Sequence, residues 1–192
     1  MIALPSAPAA APRRQVLVGT ALTCAAIATM LGGMLALWLR FRSDAMDNGL
    51  RWVPKGVVVT EVATNVMLLA FVPICLFAQW AVYAARRDDR THTGLAMGLV
   101  ALLGLAVINA QAFTWTQMGV SVRGSAYGSM FYGITGFFTL LVVVGLLFSL
   151  AAAFRVLGGR SRDREVVVAH ALYWYFLTAA YVAVWFVVYV TK

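Results

Sequence analysis

Charge is what this sequence has least of. Only 11% of its 192 residues are Asp, Glu, Lys or Arg, against about 25% in a soluble domain. Hydrophobic side chains make up 62%, and the mean hydropathy is +0.86. So few charges cannot give a globule a water-compatible surface, and so much apolar content excludes intrinsic disorder. The net charge of +8 does not signal nucleic acid, because the cations sit in short clusters between apolar runs. Cationic loops beside membrane spans have that pattern.

Metal-ligating residues are scarce too. The two cysteines, Cys24 and Cys75, fall inside apolar runs with no C-x-x-C spacing, so they read as small buried hydrophobes. The two histidines, His92 and His170, stand far apart near the ends of spans and read as solvated interfacial residues. A bis-histidine haem needs two histidines facing one cavity, and copper or iron centres need several His or Cys ligands. The expectation is therefore no cofactor, no metal site and no catalytic residue on this chain. No acid or base lies in the middle of an apolar run, where proton relays and ion-coupled transporters place them. Glu61 alone comes close, and reads as a carboxylate favoured by the dipole at a helix N-terminus.

What is present is long uncharged sequence. Five apolar runs cover about residues 16–39, 62–84, 95–113, 129–154 and 167–190. A spanning helix needs about 20 residues, and the first run is too long for a cleaved signal's apolar region. The fold class predicted is all-α: a polytopic bundle of five transmembrane helices. Residues 1–14, rich in Ala and Pro, read as a flexible cytoplasmic tail, and residues 15–192 as one transmembrane domain. Lysines and arginines beside the spans number nine on the N-terminal side and six on the other, which puts the N-terminus in the cytoplasm.

Small and aromatic residues suggest how such helices pack. Gly32 and Gly33 sit in the first run, and Gly124, Gly128, Gly133 and Gly136 punctuate the entry to the fourth. Small residues let helix backbones approach closely in lipid, where hydrophobicity drives no association. The last run holds Tyr173, Trp174, Tyr175, Tyr181, Trp185 and Tyr189, too many over its length for all to lie at the interfaces, so some must face protein.

Two segments carry a resemblance. Residues 111–142 read QAFTWTQMGVSVRGSAYGSMFYGITGFFTLLV, and residues 170–189 read HALYWYFLTAAYVAVWFVVY. Together they resemble subunit III of haem-copper oxidases, which carries a YGS-x-FY-x-x-TGFHGLHV run and a YWHFVDVVW run. Tyr127, Gly128, Ser129, Phe131, Tyr132, Thr135, Gly136, Phe137 and Val142 match the first; Tyr173, Trp174 and Phe176 match the second. Five-helix versions with a cytoplasmic N-terminus exist in that family. The departures are systematic. The histidines of the first run fall at Phe138 and Leu141, and the histidine and aspartate of the second at Tyr175 and Thr178. The family's buried glutamate of the first span falls at Ile27, and the one expected three residues after Gln111 at Thr114.

The resemblance implies a divergent subunit III or a paralogue of it. Such a chain is a non-catalytic accessory subunit in the cytoplasmic membrane, with haem and copper on partner subunits. Its partners would be a haem-bearing catalytic subunit and membrane lipids, with no nucleic acid. Of the roles the resemblance implies, proton uptake relies on carboxylates that are absent here, whereas the scaffold and lipid roles survive. Tyr127, Gly128, Tyr132, Gly133, Thr135, Gly136, Tyr173, Trp174 and Phe176 are the candidate subunit-packing residues. The alternatives are an accessory subunit of a nitric-oxide reductase, a stand-alone membrane transporter, or an assembly factor.

Overall fold

The computed structural model describes residues 14–158 and 164–191. The expected tail lies outside the described residues except for Arg14. Five helices follow one another: α1 (Gln15–Asp47), α2 (Glu61–Arg86), α3 (Arg90–Met118), α4 (Ala126–Leu157) and α5 (Arg164–Val184). A π-helical segment, Trp185–Val190, continues α5. All five are long and apolar enough to cross a membrane, as the apolar runs predict.

The helices outrun those runs. The runs mark where lipid forbids charge, whereas the backbone keeps its hydrogen bonds beyond that limit. At 1.5 Å per residue, the 33 residues of α1 reach about 50 Å, well past a hydrocarbon core of about 30 Å. The third run, the shortest of the five, belongs to a helix of 29 residues whose most apolar stretch equals that of α2.

Local chemistry sets the turns. α2 ends at Arg86, and Asp88 takes a left-handed backbone (φ 58°) that reverses the chain. Asp89 then caps α3, its Oδ1 accepting the His92 backbone N–H at 3.0 Å. At the other end of α3, Gly119 supplies the left-handed cap (φ 62°), where a side chain would be strained. Ser125 caps α4 by accepting the Gly128 N–H at 3.1 Å. Glu61 opens the first turn of α2, as its reading as an N-terminal carboxylate requires.

α5 is the central helix. It packs against α1, α2 and α4, and meets α3 through Trp174. Its polar tips tie the bundle together. The Tyr173 hydroxyl donates to the Leu141 carbonyl of α4 at 2.9 Å, and Tyr181 to the Thr64 carbonyl of α2 at 3.1 Å. Tyr175 donates to Gln79 Oε1 at 2.7 Å, and the Trp185 indole to Asn65 Oδ1 at 2.9 Å. Near the start of α5, Glu165 accepts the Leu17 N–H at 2.9 Å and satisfies one of the orphan donors of α1. Interhelical bonds of this sort average about 0.6 kcal/mol, so their value here lies in number and in register. The aromatics of the last run thus face protein in good part: Tyr173, Trp174, Tyr181 and Tyr189 are all buried.

Candidate functional site

Helices α3 and α4 both close on Trp174 of α5, which has no exposed surface. One turn before it on α5, His170 is equally buried, and both reach Ser149 of α4. The indole N–H lies 3.1 Å from Ser149 Oγ and 3.0 Å from His170 Nε2. Ser149 Oγ is 2.7 Å from His170 Nε2 and 2.9 Å from the Gly145 carbonyl. One proton arrangement leaves no buried hydrogen without an acceptor. In it Ser149 donates to Gly145, while Trp174 and His170 Nε2 both donate to Ser149. His170 Nδ1, which has no partner, is then the bare lone-pair nitrogen of a neutral ring.

This corrects the reading of His170 as a solvated interfacial residue. The apolar run begins just before His170, but α5 begins at Arg164, so the ring lies nearly two turns inside the helix. His92 does sit at the surface. Its Nδ1 is 2.6 Å from Asp89 Oδ2, and its ring stands 5.9 Å from that of Trp80. The His92 backbone N–H, and then its side chain, hold the Asp89 carboxyl below the usual carboxylate range. Cys24 is buried, and half-buried Cys75 lies 3.1 Å from Thr178 Oγ1. Among the described residues no three His, Cys, Asp or Glu side chains converge as a metal site would need.

Two glycines that the sequence reading did not single out hold Trp174 flat. A methyl on Gly104 of α3 would stand 2.6 Å from Trp174 Cη2 and 2.9 Å from Leu146 Cδ2. A methyl on Gly145 of α4 would stand 3.1 Å from Tyr173 and 3.2 Å from Leu177 and Trp174. Gly145 and Ser149 are four residues apart on one helix face, the small-xxx-small spacing of close helix packing. That spacing, and the matching one of His170 and Trp174, were the available signals.

The nine motif residues divide sharply. Tyr127 is buried, its ring centroid 5.1 Å from that of Trp38 and 5.6 Å from that of Trp52. Gly128 is buried where a methyl would run into the Ser121 carbonyl. Half-buried Tyr132 donates to the Val120 carbonyl at 3.1 Å. Thr135 is buried, donating to the Phe131 carbonyl at 2.7 Å and accepting the Trp115 indole N–H at 3.0 Å. Tyr173 and Trp174 are in the seam, with Phe176 half-buried beside Tyr173. Only Gly133 and Gly136 are open. A methyl on Gly133 would just touch the Met34 methyl at 3.7 Å, and one on Gly136 would meet nothing within 4 Å. Gly32 and Gly33 of α1 are equally bare, so their expected close packing is not made among the described residues.

The positions where the resemblance places ionisable groups are filled by other means. Phe138 is buried between the Tyr181 and Phe71 rings, at centroid distances of 5.2 and 6.1 Å. Leu141 and Thr114 are buried, and Ile27 packs against the core. Apolar contact and aromatic stacking thus hold the helices where buried ion pairs would be costly.

A five-helix bundle with membrane-length spans and an aromatic seam inside defines a multi-pass helical membrane protein. The family model for cytochrome c oxidase subunit III matches residues 18–192, and the chain belongs to that family. It is 27% identical over 181 residues to a probable cytochrome c oxidase subunit 3 of Mycobacterium tuberculosis, covering 90% of this chain and 86% of that one. With cytochrome c oxidase subunit 3 of Corynebacterium diphtheriae it shares 24% over 177 residues, with the same two coverages. With that of Strongylocentrotus purpuratus it shares 28% over 163 residues, 79% of this chain. The chain spans about 60% of the length of that relative and of the one from Drosophila yakuba.

Proposed function

We propose that this chain is a non-catalytic accessory subunit of a respiratory haem-copper oxidase in the cytoplasmic membrane. The observation that carries the reading is the family match, which runs through all five helices. Haem and copper belong to the partner subunits, and electrons from cytochrome c or quinol reach oxygen there. This chain's part is mechanical. The seam around Trp174 ties the described helices into one unit, with the apolar faces of α1 and α4 left bare toward a neighbour or lipid. Val18, Leu22, Met30 and Leu37 on α1, with Leu140 and Leu147 on α4, are all exposed. The charge asymmetry supports a cytoplasmic N-terminus. Five spans then put the end of α5 on the opposite face.

The test is a pull-down of the full chain in mild detergent with absorbance spectra of the material retained. A haem-bearing membrane subunit should come along, and the chain alone should show no Soret band. Loss of all haem protein in several mild detergents, or stoichiometric haem on the isolated chain, would overturn the reading. Reporter fusions at both ends should report opposite sides of the membrane.

A further inference from the structure

Where α1 ends, the chain doubles back through residues 48–60 and frames a pocket of about 530 Å³. Arg42, Arg51 and Lys55 line it, together with Trp52 and Gly56, and among the described residues no carboxylate does. The nearest acids in sequence are engaged elsewhere. Asp44 Oδ2 lies 3.8 Å from Arg40 Nε, and Asp47 Oδ2 lies 3.4 Å from the Ser43 hydroxyl. Among the described residues none of the three cations has an ion-pair partner. Arg42 is partly desolvated as well, since its Nε is closed off from water and has no acceptor. A desolvated, unpaired guanidinium gains more from an anion than a freely hydrated one does.

The wall of the pocket is fixed. Trp52 is buried, with its ring edge-on to Trp38 at 5.0 Å and to Tyr127 at 5.6 Å. Gly56 turns the loop at φ +87°, a conformation that side-chain-bearing residues rarely adopt. The pocket also lies at the right depth. α1 outruns the hydrocarbon core, and its last turns carry Arg40 to Asp47, so the pocket stands at headgroup level opposite the N-terminus.

We infer that this pocket binds a phosphate-class anion, either the phosphodiester of a lipid headgroup or inorganic phosphate. The forked donors of Arg42 and Arg51 match phosphate oxygens, and Lys55 adds a point charge. The inference rests on this chain's own loop and holds whether or not the chain joins an oxidase.

The experiment uses the full chain purified in mild detergent, in two arms. One incubates it with mixed micelles containing phosphatidylglycerol and counts retained lipids by native mass spectrometry. The other titrates inorganic phosphate and follows binding by phosphorus NMR. The variants are Arg42→Gln and the double Arg51→Gln/Lys55→Gln. The control Arg123→Gln removes a cation from the other loop on the same face, outside the pocket. Lys55→Arg should keep binding. In one arm or the other, the double variant should lose occupancy on the order of ten-fold relative to the control. A loss confined to the lipid arm identifies a headgroup, and saturable loss in the phosphate arm identifies the free ion. Equal binding by all variants in both arms, with melting temperatures unchanged, overturns the site.

Discussion

Two pairs of glycines divide this molecule. Gly104 presses on Trp174 so closely that an added methyl has no room, and Gly145 so closely that a neighbour would have to shift to admit one. Gly133 and Gly136 look out from α4 with space in front of them. The same contrast separates whole spans: 44% of the most apolar window of α5 with its π-helical continuation is buried within the chain, against 22% for α1. In lipid, hydrophobicity does not draw helices together, so a closed contact must be made by shape and hydrogen bonds. The α5 seam has both. The outer face of α1 and α4 has neither within the chain, and whatever order it has must come from what covers it.

The sharpest test of the closed region is Trp174→Ala. It removes the largest side chain of the seam and leaves Ser149 and His170 without their indole partner. Cavity formation at buried Trp costs about 3–5 kcal/mol, so the isolated chain in detergent should melt far below the parent. A small shift would mean that the seam relaxes freely and that the contrast with the outer face is overstated.

Next comes Gly104→Leu, which overpacks the same spot from α3. Overpacked cores lose about 1–3 kcal/mol, and the cost should reach the top of that range. The clashing atoms belong to a rigid indole and to Leu146 packed beside it. Chemical unfolding in detergent measures the loss. Unchanged stability would show that α3 can shift away from α5 at little cost.

Ser149→Ala is a subtler cut. It leaves space almost unaltered but removes the acceptor on which the Trp174 and His170 donors converge. A buried donor left unsatisfied costs about 1–3 kcal/mol, with partial relief once the His170 proton moves to Nδ1 and frees Nε2, 3.0 Å away, to accept the Trp174 N–H. The expected loss is therefore at the low end, about 1 kcal/mol. Indole emission should report a changed environment.

How much of this was legible depends on the physical signal each feature leaves. Five spans were legible because lipid excludes charge, and that exclusion writes long uncharged runs. Their ends were not, since α1 carries on through Arg40, Arg42 and Asp44, and α3 starts at Arg90. Hydropathy is blind to a helix that leaves the membrane still hydrogen-bonded. His170 was misread for the same reason, its place being judged from the apolar run and not from Arg164, where the helix begins. The motif pointed to Trp174, but the glycines and serine that hold it carry no chemistry of their own. Only the spacing of Gly145 and Ser149 marks them. Composition drew attention to Gly32, Gly33 and Gly136 just as strongly, though none is closed against this chain.

The smallest effect on the chain itself is the one that tests the open region. Gly133 and Gly136 are three apart and share a face of α4. A Leu at Gly136 has open space to enter, so the isolated chain should keep its stability within about 0.5 kcal/mol, the usual range for surface changes. If the proposed oxidase assembly is right and this face meets a neighbouring helix, the added side chain forces that helix outward. It forfeits dispersion contacts for which lipid offers no hydrophobic compensation. Retention of the haem-bearing subunit in pull-downs should then fall several-fold, corresponding to about 1–3 kcal/mol by the overpacking scale. The matched control is Val143→Leu, since Val143 is already exposed on α4. A drop confined to Gly136→Leu makes the open face an interface whose closure comes from outside the chain. Equal retention of both variants leaves that face to lipid, and the open glycines then differ from the closed ones in having no partner to fit.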